Sequence, residues 1–417
     1  MKILVIGGGG REHAITWRLA QETGVRLWAS PGNPGIARVA TCLAPPRSGV
    51  DGYLQVADSI QPDLTVVGPE APLVAGLTDA FQSRGFRVLG PARNAAQLEA
   101  SKIFAKHVMA EAAIPTAGYR VTQTPDEASA CIRDFRYPLV LKADGLAAGK
   151  GVVIADNLPE AESALRTLRS SFGPRILIEE FLQGEEASFI VLSDGRNVLP
   201  LEASQDHKTI HDDDKGPNTG GMGAYCDGRI LTAAQTAEIM DRVIRPTIHY
   251  MEAQGTPFSG FLYAGLMMTQ QGPKVLEFNV RLGDPEAQSL LHRIQGGFAN
   301  ALFAAASGKL GGVTLDWKSS PSVCVVLASA GYPDQPRTGD PISGVEQAED
   351  TGAVVFQAGT RAGATALETA GGRVLGVTAA GVDLRQAIDN AYRGVAAIHF
   401  DGMQFRKDIG RKGLKRW

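Results

Sequence analysis

Two groups of residues in this sequence could do chemistry together. The first is Lys142 and the glycine-rich run after it, within PLVLKADGLAAGKGVVIA (138–155). An ammonium group beside a loop of glycines, whose backbone can approach closely and take positive φ, suits a polyphosphate. Three other glycine loops are excluded by spacing. A Walker loop needs four residues between its first glycine and its Gly-Lys pair, then Ser or Thr and a helix. Here Gly145 and Gly149 have three between them, Gly151 follows Lys150, and VVIA reads as a strand. A dinucleotide loop also leads into a helix, and GLAAGKG lacks the kinase-type GxGxxG spacing. The pattern that remains is strand, flap and returning strand. A surface hairpin with two solvated lysines is the alternative that this stretch alone leaves open.

The second group is Glu277, Asn279 and Arg281 in KVLEFNVR (274–281). Period-two alternation puts them on one face of a strand and Leu276, Phe278 and Val280 on the other. A carboxylate and an amide oxygen about 7 Å apart on one face suit a hard cation that shares its remaining positions with phosphate and water. The strand runs into LGDPEAQ, which adds Asp284 and Glu286 before a helix.

These groups need several domains to position them, and 417 residues supply roughly three. With 44% hydrophobic and 20% charged residues the chain is globular, and a net charge of -3 gives no case for nucleic acid or an anionic membrane. The basic ending (Arg406, Lys407, Arg411, Lys412, Lys415, Arg416) reads as a solvated tail. Cys42, Cys131, Cys226 and Cys324 are far apart with no CxxC pair, so a reducing, cytoplasmic location is expected. The apolar run at the N-terminus is too short for a signal peptide, and no stretch reaches membrane-span length.

Residues 2–6 read as a buried strand leading through Gly7–Gly10 into a helix, the opening of a doubly wound sheet. Glu12 or His13 stands where a dinucleotide fingerprint needs glycine, which excludes NAD. Gly9 and Gly10 at the helix start form either an anion site or a turn needed only for packing. Asn33 and Glu70 follow strands whose carboxyl edge is where such sheets bind ligands. A long helix is expected from Pro91 through Glu111, then a small α+β domain over 115–192 with the flap at its tip. RILIEEFLQGEEASF (175–189) passes from strand to strand through a linker able to meet a base and ribose. The polar run 205–225 is long enough for a functional loop. Its HKTIH is not the zinc pattern HExxH, so substrate binding is the preferred reading. The last hundred residues read as a strand-rich domain that packs on the centre and closes one wall of the site.

Taken together, VIGGGGREHA, VGPEAPL, KADGLAAGKGV, IEEFLQGEEASF, QDHK, GPNTGGMGAY, EFNVRLGDPEAQ and FRKDIG resemble the glycinamide ribonucleotide synthetase family of the ATP-grasp superfamily. The resemblance implies an α/β and α+β multidomain fold: a doubly wound, biotin-carboxylase-like domain (1–101), an ATP-grasp region (102–312, with a flap part 115–192 and a catalytic part 193–312), and a C-terminal domain (313–417). It implies ligation of glycine to phosphoribosylamine by a monomer using ATP and Mg2+ or Mn2+. Lys102, Lys142, Gly149, Lys150 and Gly151 would meet ATP phosphates. Glu179, Glu180, Phe181 and Leu182 would hold adenine, and Glu186 the ribose. Asn218 would lie near the phosphates or the acyl group, with Glu277 and Asn279 on the metal. Arg281, Asp284 and Glu286 would orient reacting groups, and Gly9, Gly10, Asn33, Glu70, Lys208 and Asp214 would bind substrate. Two departures stand out: Thr209 where the family has arginine, and Cys226-Asp227-Gly228-Arg229 where it has Ser-Pro-Ala-Pro. The alternatives are another ATP-grasp ligase or carboxylase of purine synthesis, and a nucleotide sensor without turnover.

Overall fold

The computed structural model describes residues 1–147 and 150–415. Gly149, expected at the phosphates, lies outside the described residues, as does Arg416 of the basic ending.

A five-stranded parallel sheet opens the chain, in the order Thr41–Cys42, Arg26–Pro31, Lys2–Gly7, Leu64–Val67, Val88–Leu89. Its central strand is apolar because helices cover both faces: Ile3, Leu4, Val5 and Ile6 are wholly buried. Strand order reverses beside Lys2–Gly7, so the loops carrying Gly9, Asn33 and Glu70 gather at the carboxyl edge.

The expected long helix is two helices, Gln97–Ala100 and Lys102–Glu111. Ser101 breaks it by capping the second, its Oγ accepting from Phe104 N at 3.1 Å and donating to Asp144 Oδ1 at 2.9 Å. That break sets Lys102 at the helix start, beneath the flap.

The flap belongs to a four-stranded antiparallel sheet ordered Tyr119–Thr122, Ile176–Glu180, Leu139–Ala143, Val152–Ala155. Alternation divides it cleanly. Leu139, Leu141, Ala143, Ile176 and Ile178 pack on the helices Pro125–Asp134 and Leu158–Phe172, while Val140, Lys142, Val152, Ile154, Leu177 and Glu179 face a cleft.

A nine-stranded sheet forms the opposite side of the cleft. Glu185–Asp194, Ser259–Thr269 and Gly272–Asn279 stand at one end. Gly223–Cys226, buried throughout, pairs with Ser322–Ala328, so the C-terminal strands continue this sheet as well as packing against it. The polar run 205–225 is not a plain loop: Thr209–His211 and Lys215–Asn218 form an antiparallel ribbon. His207 is buried and His211 exposed, so they do not form a zinc pair.

In Gly272–Asn279 the simple alternation fails. A bulge opposite Gly265 and Leu266 leaves Leu276 as the extra residue. Val275 and Phe278 enter the core, and Leu276 joins Glu277 and Asn279 on the cleft instead of facing away from them.

Candidate active site

The cleft between the flap sheet and the large sheet has a volume of about 1170 Å3. Lys142, Lys102, Glu277 and Asn279 all line it, as do the described flap residues Gly145, Lys150 and Gly151. Its two ends differ in chemistry.

One end is an apolar slot. Val140, Val152, Ile154 and Leu177 line it from the flap sheet, and Met267 and Leu276 from the other side. Leu182 packs with Met267, Ala117 and Leu276 at the linker Phe181–Gly184, while Phe181 remains exposed. Glu180 accepts from Gly118 N at 2.9 Å. Glu186 stands half-exposed next to Lys208, 3.4 Å away.

The middle is crowded with cations. Lys142 Nζ lies 2.9 Å from Glu179 Oε2 and donates to Leu276 O at 2.9 Å, while Lys106 Nζ lies 3.1 Å from Glu179 Oε1. The Glu179 side chain is therefore spent on orienting two lysines. Lys102 donates to Gly145 O at 2.8 Å, tying the helix start to the flap. Burial pushes the Lys106 ammonium down to about 8 and lowers that of Lys102.

Glu277 sits among these charges. Burial alone would raise its carboxyl, but Lys208, Lys142 and Lys102 outweigh that and hold it at about 2. Lys208 Nζ is 3.6 Å from its Oε1. Asn279 Oδ1 faces the same cleft and accepts from Arg281 Nη2 at 2.9 Å. Arg281 is anchored by Glu99 at 2.7 Å and Glu70 at 3.3 Å. No group of three His, Cys, Asp or Glu suited to a metal occurs among the described residues. A carboxylate and an amide oxygen, one already ionised, fit Mg2+ that takes its other ligands from phosphate and water.

At the far end the GDPE turn meets the glycine-rich loop. Asp284 accepts from Gln288 at 2.9 Å, and Glu286 accepts from Tyr263 OH at 2.6 Å and Ser188 Oγ at 3.2 Å. Burial and then Glu286 push the neighbouring Asp206 carboxyl well above the usual range. Asn218 lines the cleft at the end of its ribbon strand. Gly221 takes φ +108°, and an added Cβ would lie 2.5 Å from Pro285 Cδ and 2.8 Å from Asp206 Oδ1. Gly221→Ala is expected to cost at least about 1 kcal/mol and to slow turnover, measured by urea unfolding and a steady-state assay.

Other expected residues are placed differently. Gly9 N donates to Glu12 Oε2 at 2.6 Å, so the helix start is capped by its own carboxylate and is not an open anion site. Gly10 packs against Gln288 and Ala358, and Asn33 donates to Gly8 O and Gln357 O while accepting from Ile36 N. None of these three lines the cleft, whereas Glu70 does. The basic ending is only partly a solvated tail: Lys407, Arg411, Lys412 and Lys415 are exposed, but Arg406 is not. Arg406 is wholly buried and donates to Thr209 Oγ1 at 2.9 Å, and Lys412 pairs with Asp214 at 2.5 Å. A guanidinium from the C-terminal segment thus stands beside Thr209, where the resemblance led to an expected arginine. Cys226 is buried against Ala203 O and accepts from Arg293 Nη1 at 3.5 Å, and Asp227 pairs with Arg229 at 2.7 Å.

Sequence reasoning missed Lys106, Glu99, Asp206 and Arg373. Lys106 lies one turn after Lys102, a spacing that shares a helix face. Glu99 and Arg373 sit in no motif and are brought in by the fold alone.

Comparison with known proteins agrees along the whole chain. The phosphoribosylglycinamide synthetase N domain matches residues 1–99, the ATP-grasp (A) domain 100–287 and the C domain 322–412. A phosphoribosylamine–glycine ligase from Xanthomonas axonopodis pv. citri is 49% identical over 426 aligned positions, covering 100% of this chain and 99% of that one. The crystal structure of phosphoribosylamine–glycine ligase from Thermotoga maritima superposes with TM-score 0.86 at 34% identity, covering 98% of this chain and 100% of that one. The biotin carboxylase domain of Hydrogenobacter thermophilus 2-oxoglutarate carboxylase, solved with MgADP, shares the fold with TM-score 0.70 at 17% identity, covering 97% of this chain and 91% of that one. With an ATP-grasp fold, a cluster of lysines lining one cleft with Glu277 and Asn279, and these matches from end to end, the chain belongs to the phosphoribosylglycinamide synthetase family.

Proposed function

We propose that this protein is a C–N ligase that joins glycine to 5-phospho-β-D-ribosylamine, consuming ATP and giving glycinamide ribonucleotide, ADP and phosphate, the second step of de novo purine synthesis. The observation that carries the reading is that Lys142 and the Glu277/Asn279 pair open onto one cleft beneath a glycine flap.

The chemistry follows from the acceptor. Glycine's carboxylate has no leaving group, so a carboxylate oxygen attacks the γ-phosphorus, the bond to ADP breaks, and glycyl phosphate forms. The amine of phosphoribosylamine then attacks the acyl carbon, the carbon–oxygen bond to phosphate breaks, and the amine loses a proton. Phosphoryl transfer needs positioning and charge stabilisation more than covalent help. Lys102 and Lys142 supply fixed positive charge at the phosphates, and the slot between Leu177 and Leu276 takes the base. Glu277 and Asn279 would hold Mg2+ or Mn2+, which neutralises charge developing on the phosphate oxygens. An acyl phosphate hydrolyses in water, so closure of the Gly145–Gly151 flap excludes solvent. Orientation of the substrates falls to Arg281, Asp284 and Glu286, with Lys208, Asp214 and Glu70 lining the remaining wall.

We further place the protein in the cytoplasm as a monomer acting on small molecules. Four free cysteines support the cytoplasmic location, and a net charge of -3 gives no case for a nucleic-acid partner. Among the described residues no helix is long and apolar enough to cross a membrane. The test is ADP release with freshly made phosphoribosylamine. Release should require both glycine and phosphoribosylamine; turnover driven by bicarbonate or formate in place of glycine would overturn the reading.

A further inference from the structure

Arg373 begins the strand Arg373–Ala380 in the C-terminal part of the chain, and its side chain crosses to the two loops at the far end of the cleft. Its Nη1 donates to Gly220 O at 2.5 Å, to Gly221 O at 3.4 Å and to Asp284 O at 2.5 Å. Its Nη2 lies 3.5 Å from Asp284 Oδ2. Tyr332, from the same part of the chain, accepts from Gly220 N at 3.0 Å.

A guanidinium reserved for a substrate phosphate would offer two parallel N–H groups to it. Here one nitrogen is shared among three carbonyl oxygens on two loops, and the other faces a carboxylate. That is the arrangement of a staple.

We propose that Arg373 is a positioning residue for the ligation: it fastens the glycine-rich loop that follows Asn218 to the turn that carries Asp284 and Glu286, with Tyr332 as its helper. The proposal rests on the ligase reading above. Neither residue pairs with Lys102 or Lys142, so the nucleotide end of the cleft does not depend on the staple. The reacting groups do, because a displacement of about 1 Å at such a site costs about a hundredfold in rate.

The experiment compares wild type with Arg373→Ala, Arg373→Lys, Tyr332→Phe and the Arg373→Ala/Tyr332→Phe pair. Arg373→Ala should lower kcat about a hundredfold while the Kd for a non-hydrolysable ATP analogue moves less than about threefold. Millimolar guanidinium ion should restore part of that kcat in Arg373→Ala and leave wild type unchanged. Arg373→Lys keeps the charge but not the fork, so it should remain impaired. Losses in the pair should be less than the product of the single losses, as expected of two residues holding one loop. A kcat for Arg373→Ala near wild type would overturn the proposal. So would a fall in analogue affinity as large as the fall in kcat. If Arg373→Ala does not fold, Arg373→Lys is read in its place, and full activity in Arg373→Lys would overturn the proposal. A wild type without glycine-dependent ADP release would instead refute the ligase reading.

Discussion

Lys142→Ala is expected to reduce ATP-dependent turnover by about 100- to 1000-fold, the loss typical of removing one preorganised donor aimed at developing charge. The geometry sharpens what else should happen. Lys142 is almost buried and shares Glu179 with Lys106, so the substitution also removes one partner of a buried carboxylate. Stripping a buried charge of every partner costs about 3–5 kcal/mol. Lys106, 3.1 Å from the other carboxylate oxygen, remains, so a cost of about 1–3 kcal/mol is expected. The protein should fold, with a midpoint lower by several degrees. Leu276 O also loses its donor, which lies next to the bulge that turns Leu276 and Glu277 to the same side. Turnover and thermal unfolding of the same preparation separate the two effects. Near-normal turnover would remove Lys142 from the phosphates, and a chain that does not fold would make its role structural.

The parts of this site legible in the sequence are those whose chemistry is local. The flap is visible in 138–155 because strand, glycines and returning strand are consecutive, and the alternation that aims Lys142 at the cleft holds over Leu139–Ala143. In Gly272–Asn279 the same rule misplaced Leu276, because a bulge is specified by the partner strand near Gly265 and not by the residues around Leu276. Helix pattern ran through Ser101 since nothing nearby showed that Asp144, far along the chain, would receive its hydroxyl. Arg406 was read with the exposed tail residues because charge composition cannot reveal that Asp214, Asp408 and Thr209 would enclose it. Gly9 illustrates a nearer failure: Glu12, three residues away, was visible and already supplies the anion that the helix start needs.

The Glu277→Gln variant addresses the other half of the cleft. Removing a residue that merely hydrogen-bonds to a metal ligand typically costs 10- to 100-fold in affinity, so losing one of two proposed protein ligands should raise the Mg2+ concentration for half-maximal activity by at least about tenfold. The variant also removes the only counter-charge within 4 Å, apart from Glu186, of Lys208 among the described residues. Its effect should therefore change with pH in a defined direction. The Glu277 carboxyl is held at about 2 in the folded protein, below its ordinary value of 4.5. A depressed acid stabilises the fold above its unfolded value, and that contribution disappears as pH falls through the folded one. The stability difference between wild type and Glu277→Gln should thus be constant above about pH 5 and shrink toward pH 2, as followed by urea unfolding across that range. An unchanged Mg2+ titration would remove the metal assignment. A stability difference that does not shrink in acid would mean that the lysines do not hold Glu277 ionised, and so that the cleft is not poised for a cation before nucleotide arrives.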